Sequence, residues 1–243
     1  MPLLYWFLLP AVTVRLIYIL AAVLPAWILL RYIYRHDTVE KEPLGLLVSL
    51  LVMGVLSALC SILLERIGQA LLYWLMDPGS PYFTVVLAFV VVALVEEGTK
   101  FFFLKWRTWR NPHFNYRFDG IVYAVFVSLG FAAYENIGYV LNYGLSVALP
   151  RALLAVPAHM SFAVFMGVFY SRAKLMDADG DDWGCRINLW VGYLVAVLLH
   201  GAYDACALSG SNLAVIAFAG LVVVMFLSVF FLIKRESATD VPV

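Results

Sequence analysis

Long apolar stretches recur along this chain, separated by short polar links, and they decide its surroundings before any other feature does. A helix of about 20 apolar residues is long enough to cross a bilayer core of about 30 Å. Seven such runs can be marked, at residues 16–34, 44–64, 82–104, 120–142, 152–171, 189–208 and 213–233. In hydrocarbon no water satisfies backbone N–H and C=O groups, so spans of this length must be helices. The expected fold is therefore all-α, a polytopic transmembrane helical bundle, with residues 1–243 forming a single integral membrane domain. Composition agrees, with 64% hydrophobic and 13% charged residues, where soluble domains hold about a quarter charged. Sixteen basic residues balance sixteen acidic ones, so the expected partner is membrane lipid and not nucleic acid. Cys60, Cys185 and Cys206 are widely spaced and fit no metal or redox pair.

Residues 1–14 are apolar as well. Two readings stand: they extend the first span and bury Arg15, or they lie in the interface with Arg15 among the head groups. No basic residue precedes this run, which argues against a cleaved signal peptide. Orientation follows from lysine and arginine. Arg31, Arg35 and Lys41 fall in the first loop, and Lys105, Arg107, Arg110 and Arg117 in the third. Arg172, Lys174 and Arg186 fall in the fifth, and Lys234 and Arg235 at the C-terminus. The expected topology puts all of these in the cytoplasm and the N-terminus outside. The stretch "DADGDDWG" (177–184) has its glycine at the wrong offset for a calcium loop and reads as a solvated acidic turn.

Polar residues inside the spans carry the functional signal. Glu96, Glu97, Glu135 and Asp204 all fall within them, as do His159 and His200. Unpaired, the four acids would cost on the order of 10 kcal/mol, so they must face a bundle interior or a wet cavity. Each has a structural reading. Glu96 and Lys100 stand one turn apart and suit an i,i+4 ion pair, while Lys100 could instead snorkel to the interface. Glu135 and Asn136 could be interhelical hydrogen-bond glue. His159 follows Val156-Pro157 and could satisfy a carbonyl freed by the proline. Asp204, one turn after His200, could orient its ring. Convergence of all four helices on one point explains the set more simply, although depths counted along the helices disagree by one to two turns.

These residues resemble a known family. "EEGTK" (96–100) resembles the E-E-x-x-K motif of the PrsW family of intramembrane proteases. "FDGIVYAVFVSLGFAAYENIGY" (118–139) is similar to its D-G … G-F-x-x-x-E-N segment, and "PAWILLRYIYRHDTVEKEP" (25–43) to its first helix and acidic-proline loop. "PAHMSF" around His159 and "HGAYD" (200–204) complete the pattern, which runs from about residue 25 to 208. The related CAAX-prenyl endopeptidases carry E-E-x-x-x-R, F-x-x-x-H and H-x-x-x-N. Here Lys100 stands one position early, Glu135 replaces a histidine and Asp204 stands at the last position. The resemblance implies a bacterial cell membrane and first-site cleavage of single-span membrane proteins, notably anti-sigma factors in regulated stress signalling.

Peptide hydrolysis suits the residue types. Without a nucleophilic serine or cysteine, a protease needs a polarised water, a base and an oxyanion stabiliser. Glu96 or Glu97 would be the base, with the other held by Lys100. His159 and His200 would bind a metal or the tetrahedral intermediate, and Asp204 would fix the tautomer of His200. His159, His200 and either Glu135 or Glu97 would make a three-ligand zinc site, although a metal-free route uses the same residues. The competing class is a proton-coupled transporter or channel built on these acids and histidines, but no internal repeat supports it.

Overall fold

The computed structural model describes residues 2–243, with side chains from residue 12 onward. It is helical throughout, and the only β pairing among the described residues is an isolated bridge between Tyr116 and Pro242. The elements are α1 (Pro2–His36), α2 (Leu44–Leu75), α3 (Phe83–Val86), a π-helical stretch (Leu87–Ala93) and α4 (Leu94–Thr108). They continue with α5 (Asp119–Tyr143), α6 (Ala148–Pro150), a second π-helical stretch (Arg151–Ala155), α7 (Val156–Ala178), α8 (Asp182–Leu208) and α9 (Asn212–Ala238).

Six helices are long and apolar enough to cross a membrane: 12–36, 44–75, 119–143, 145–178, 182–208 and 212–238. The seventh expected span is the helical path 83–108. It stands apart because Glu96, Glu97 and Lys100 ride on it, just after a π-helical stretch. The chain is thus a multi-pass membrane protein by length and composition. Large apolar side chains such as Leu20, Leu63, Trp106, Trp190 and Leu213 cover the outside, where lipid takes the place of a protein core. In the N-terminal stretch α1 is unbroken, and Arg15 is exposed and not buried. The side chains of residues 2–11 lie outside the described set.

Helix α5 is the central pillar, buried along most of its length between α2, α7 and α1. Lipid tails are as apolar as leucine, so helices in a bilayer associate through close packing of small residues. Gly54 of α2 meets α5 so closely that an added Cβ would lie 2.1 Å from Val127 O, and one on Gly130 of α5 would lie 2.5 Å from Leu51 O. An alanine at either position would force the pillar off its neighbour.

One end of the bundle gathers the loops that the sequence marks as basic. Asn115 Nδ2 donates to Glu40 Oε2 at 3.1 Å, Arg117 pairs with Glu236, and Lys174 Nζ donates to Trp109 O at 3.1 Å. The C-terminal tail closes over this end through Arg117 N to Val241 O and Val243 N to Asn115 O, both 2.9 Å. The acidic turn 177–184 is a helix junction: Gly180 takes φ +78°, and Asp181 caps α8 by accepting from Gly184 N at 2.9 Å. Cys60, Cys185 and Cys206 are free thiols.

Candidate active site

The site forms where α4, α5, α7 and α8 face one another, and local distortions set its geometry. The π-helical stretch 87–93 leads into α4, so Glu96 and Glu97 stand in the first turn after the distortion. Such interruptions frequently mark functional sites. Phe89 of this stretch packs over Gly201, where an added Cβ would come within 2.3 Å of the ring. The second π-helical stretch precedes α7 and carries Arg151 inward. Ser128 Oγ on α5 donates to His159 O at 2.9 Å, which fixes the depth of that histidine.

Lys100 is the hub. Its ammonium donates to Glu97 Oε1 at 2.8 Å, to Glu96 Oε2 at 3.1 Å and to His159 Nδ1 at 3.2 Å. The ammonium also sits 3.9 Å from the centre of the Phe131 ring. All three N–H donors are thereby used, so Lys100 is buried and does not snorkel; it is 2% exposed. An ammonium only donates, so His159 Nδ1 accepts and its proton lies on Nε2, which faces Glu135 Oε2 at 3.2 Å. His159 is therefore engaged by side chains rather than by a carbonyl freed at Pro157.

His200 is held between acids. Its Nδ1 lies 2.9 Å from Glu97 Oε1, and its Nε2 lies 3.3 Å from Asp204 Oδ2 and 4.0 Å from Glu96 Oε2. Only the imidazolium can donate to acids at both nitrogens at once. Phe162 stacks on the ring at 4.8 Å between centroids and fixes its plane. The one-turn spacing of His200 and Asp204 thus gives the ring–carboxylate pair read from the sequence.

Glu135 has its own cation. Arg151 Nη2 donates to Glu135 Oε2 and Arg151 Nε to Asn136 Oδ1, each at 2.8 Å, and the guanidinium lies over the Tyr139 ring. Asn136 Nδ2 donates to Ala22 O at 2.7 Å and ties α5 to α1. The glue reading therefore describes Asn136. The side chains of Glu96, Glu97, Glu135, His159, His200 and Asp204 all enter one connected network, despite the mismatch counted along the helices.

Two cavities of about 650 and 510 Å³ adjoin this network. Both are lined by Glu65, Glu96, Glu135 and Tyr139, and the second also by Arg151, His159, His200 and Asp204. Glu97 lines neither; it is 1% exposed, against 5% for Glu96. Sequence reading missed Glu65 and Arg151. Ending the second span at Leu64 placed Glu65 in a loop, yet α2 continues to Leu75. Arg151 falls just outside the expected span 152–171, although its position directly after Pro150 signals an interrupted helix end.

Glu96, Glu97, His159 and His200 offer ligand atoms that all lie within 4.8 Å of one another. The donor types, two carboxylates and two imidazoles, suit a first-row divalent metal. Glu97 Oε2 is buried without a partner, and the Lys100 ammonium is a cation already seated among three of the four groups. The donor set and the partnerless Glu97 oxygen fit a metal, which would displace the Lys100 ammonium from the three groups it holds. Glu135, one of the ligands considered from sequence, lies outside this group, engaged by Arg151 and His159.

A multi-span helical bundle with paired glutamates and two histidines on a buried cleft defines a membrane hydrolase. The chain belongs to the PrsW family of intramembrane proteases: residues 42–233 match the model of the PrsW family intramembrane metalloprotease. It is 36% identical over 184 residues to Protease PrsW of Geobacillus kaustophilus, covering 76% of each chain. It is 34% identical over 189 residues to Protease PrsW of Clostridioides difficile, again 76% of each. With Protease PrsW of Halalkalibacterium halodurans it shares 33% over 192 residues, 79% of this chain and 84% of the relative. No solved structure matches. Membership sets the transporter or channel reading aside.

Proposed function

We propose that this endopeptidase cleaves single-span membrane proteins, with anti-sigma factors as the substrate class, by water activated at Glu96. The observation that carries this reading is the division of labour between the paired glutamates. Glu96 lines both cavities, while Glu97 lines neither and is bound to Lys100 and His200. A general base must meet water and substrate; Glu96 can, and Glu97 positions the groups around it. Glu96 would take the proton of the attacking water and hand it to the departing amine. His200, as imidazolium, would stabilise the oxyanion from Nε2, with Asp204 and Glu97 holding the ring. Lys100 keeps the two adjacent carboxylates together in a medium that otherwise opposes both charges.

In the alternative metal-bound state, Glu96, Glu97, His159 and His200, the last as a neutral imidazole and no longer an imidazolium, would hold a zinc ion, which would supply Lewis-acid polarisation of the substrate carbonyl. The basic loops and the C-terminus would lie in the cytoplasm and the N-terminus outside. Cysteines placed near Asn111 would then react with an impermeant reagent only after the membrane is opened, and ones near Ser80 in intact cells. The reverse pattern would overturn this orientation. The activity itself is tested with purified protein in detergent and a single-span bacterial membrane protein, with and without chelator, products being identified by mass spectrometry. Failure of the wild type to cut, or equal cutting by Glu96→Gln, would refute the assignment.

A further inference from the structure

Nearly every acid at the cleft has a basic partner. Lys100 holds Glu96 and Glu97, Arg151 and His159 hold Glu135, and His200 faces Asp204. Glu65 is the exception. It lines both cavities, yet it forms no hydrogen bond or ion pair with any described residue. Its placement is built into α2. Ala58, Ser61, Ile62, Glu65 and Gln69 follow helical spacing and turn one stripe toward the cleft. Ser61 Oγ, one turn earlier, lies 2.7 Å from Thr99 Oγ1 on α4, which pins this stripe beside the paired glutamates. Arg66 lines the first cavity beside it but forms no ion pair with Glu65.

A carboxylate inside a membrane bundle without a cation is costly. Around it, Glu96 and Glu135 add negative charge, and the cations of the cleft are already committed, Lys100 to Glu96 and Glu97, Arg151 to Glu135 and His200 to Glu97 and Asp204. What Glu65 lacks is a positive partner of its own, and a substrate can bring one. We infer that Glu65 is a specificity residue that pairs with a lysine or arginine side chain of the substrate, a few residues from the bond cut at Glu96. A chain passing from one cavity to the other must cross the wall that Glu65 and Glu96 share. An acidic side chain at the same position would meet the unpaired Glu65 carboxylate and be rejected, which gives discrimination in both directions. This inference rests on the proposed protease chemistry.

The test uses purified full-length protein in detergent and a set of transmembrane peptides, each a Leu–Ala span with Lys, Gln or Glu placed in turn at positions flanking its end. Products are measured by mass spectrometry. Wild type is expected to favour Lys over Glu at one position by at least about tenfold in kcat/KM. Glu65→Gln should lose about tenfold on the Lys peptide, mainly through KM, and leave the Gln peptide within about threefold. Glu65→Lys should invert the preference toward Glu. The unchanged rate on the Gln peptide and an unchanged melting temperature show that both variants fold. Cleavage by wild type with the same ratios in all three proteins would overturn the pairing alone. No cleavage of any peptide by wild type would overturn the protease reading and the pairing together.

Discussion

Two groups of buried acids lie on the same helix system and are treated in opposite ways. Glu135 and Asp119 stand 16 residues apart on α5, about 24 Å along the helix. Around Glu135, Glu96 and Glu97 the protein supplies an ammonium, a guanidinium and two imidazoles. Around Asp119 it supplies backbone. Asp119 Oδ2 accepts from Tyr116 N at 2.7 Å and Asn115 N at 3.1 Å, closing the loop that begins α5. Nearby Asp37 and Glu42 are 1% and 4% exposed, and both Asp37 carboxylate oxygens lack a hydrogen-bond partner. Burial pushes the Asp37 carboxyl up to about 6 against the pull of Lys41, and the Glu42 carboxyl up to about 7. The difference is instructive. At the cleft, acids given cations can stay ionised, while at the loop end acids given amides, or nothing, serve the architecture.

The sharpest way to break this comparison is at the paired glutamates. Glu96→Gln and Glu97→Gln should each accumulate normally in the membrane and lose at least about a hundredfold in cleavage rate. Near-normal rates in both would erase the distinction between the two groups. The metal adds a second measure. Elemental analysis should find about one zinc per wild-type molecule and less than about a tenth of that in His159→Ala or His200→Ala. Fully active wild type with less than a tenth of an equivalent would leave only the metal-free route.

Asp204→Asn keeps a hydrogen bond to His200 and removes a charge. Metal affinity should weaken by roughly 10- to 100-fold; unchanged affinity and rate would mean that Asp204 merely packs α8. At the architectural end the effects should appear in stability rather than rate. Asp119→Ala strands two backbone N–H groups and should cost about 1–3 kcal/mol, read as a lower melting temperature with unaltered cleavage per folded molecule. A selective loss of rate would show that this end also serves the chemistry.

The smallest effect is expected at Asp37. Its raised carboxyl gives stability that is fully present below the ordinary carboxylate range and is lost as pH rises through about 6. Asp240 and Glu40 oppose its ionisation, and Lys41 favours it. Asp37→Asn should therefore melt roughly 2–4 °C above wild type at pH 8, with the gap narrowing toward pH 4. A gap independent of pH would show that charge is not its cause.

Much of this protein is legible in the amino-acid order. Apolar runs fix helices and their approximate limits because a bilayer admits almost no other backbone. The helical period alone brings Glu96, Glu97 and Lys100 to one face, and His200 over Asp204. Glu96, Glu135, His159, His200 and Asp204 could be singled out because hydrocarbon tolerates no unpaired charge. What the order of residues did not decide is who pairs with whom. Lys100 serves Glu96, Glu97 and His159 together, and Arg151 reaches Glu135, only because two π-helical stretches and close glycine crossings bring these helices to matching depths. Nor could counting along the chain separate Glu96 from Glu97, adjacent residues that α4 turns in different directions, one toward the cavities and one into the protein. Glu65 escaped for a related reason: a charge beside an apolar run looks like the end of a span until a neighbouring helix gives it a wall to face.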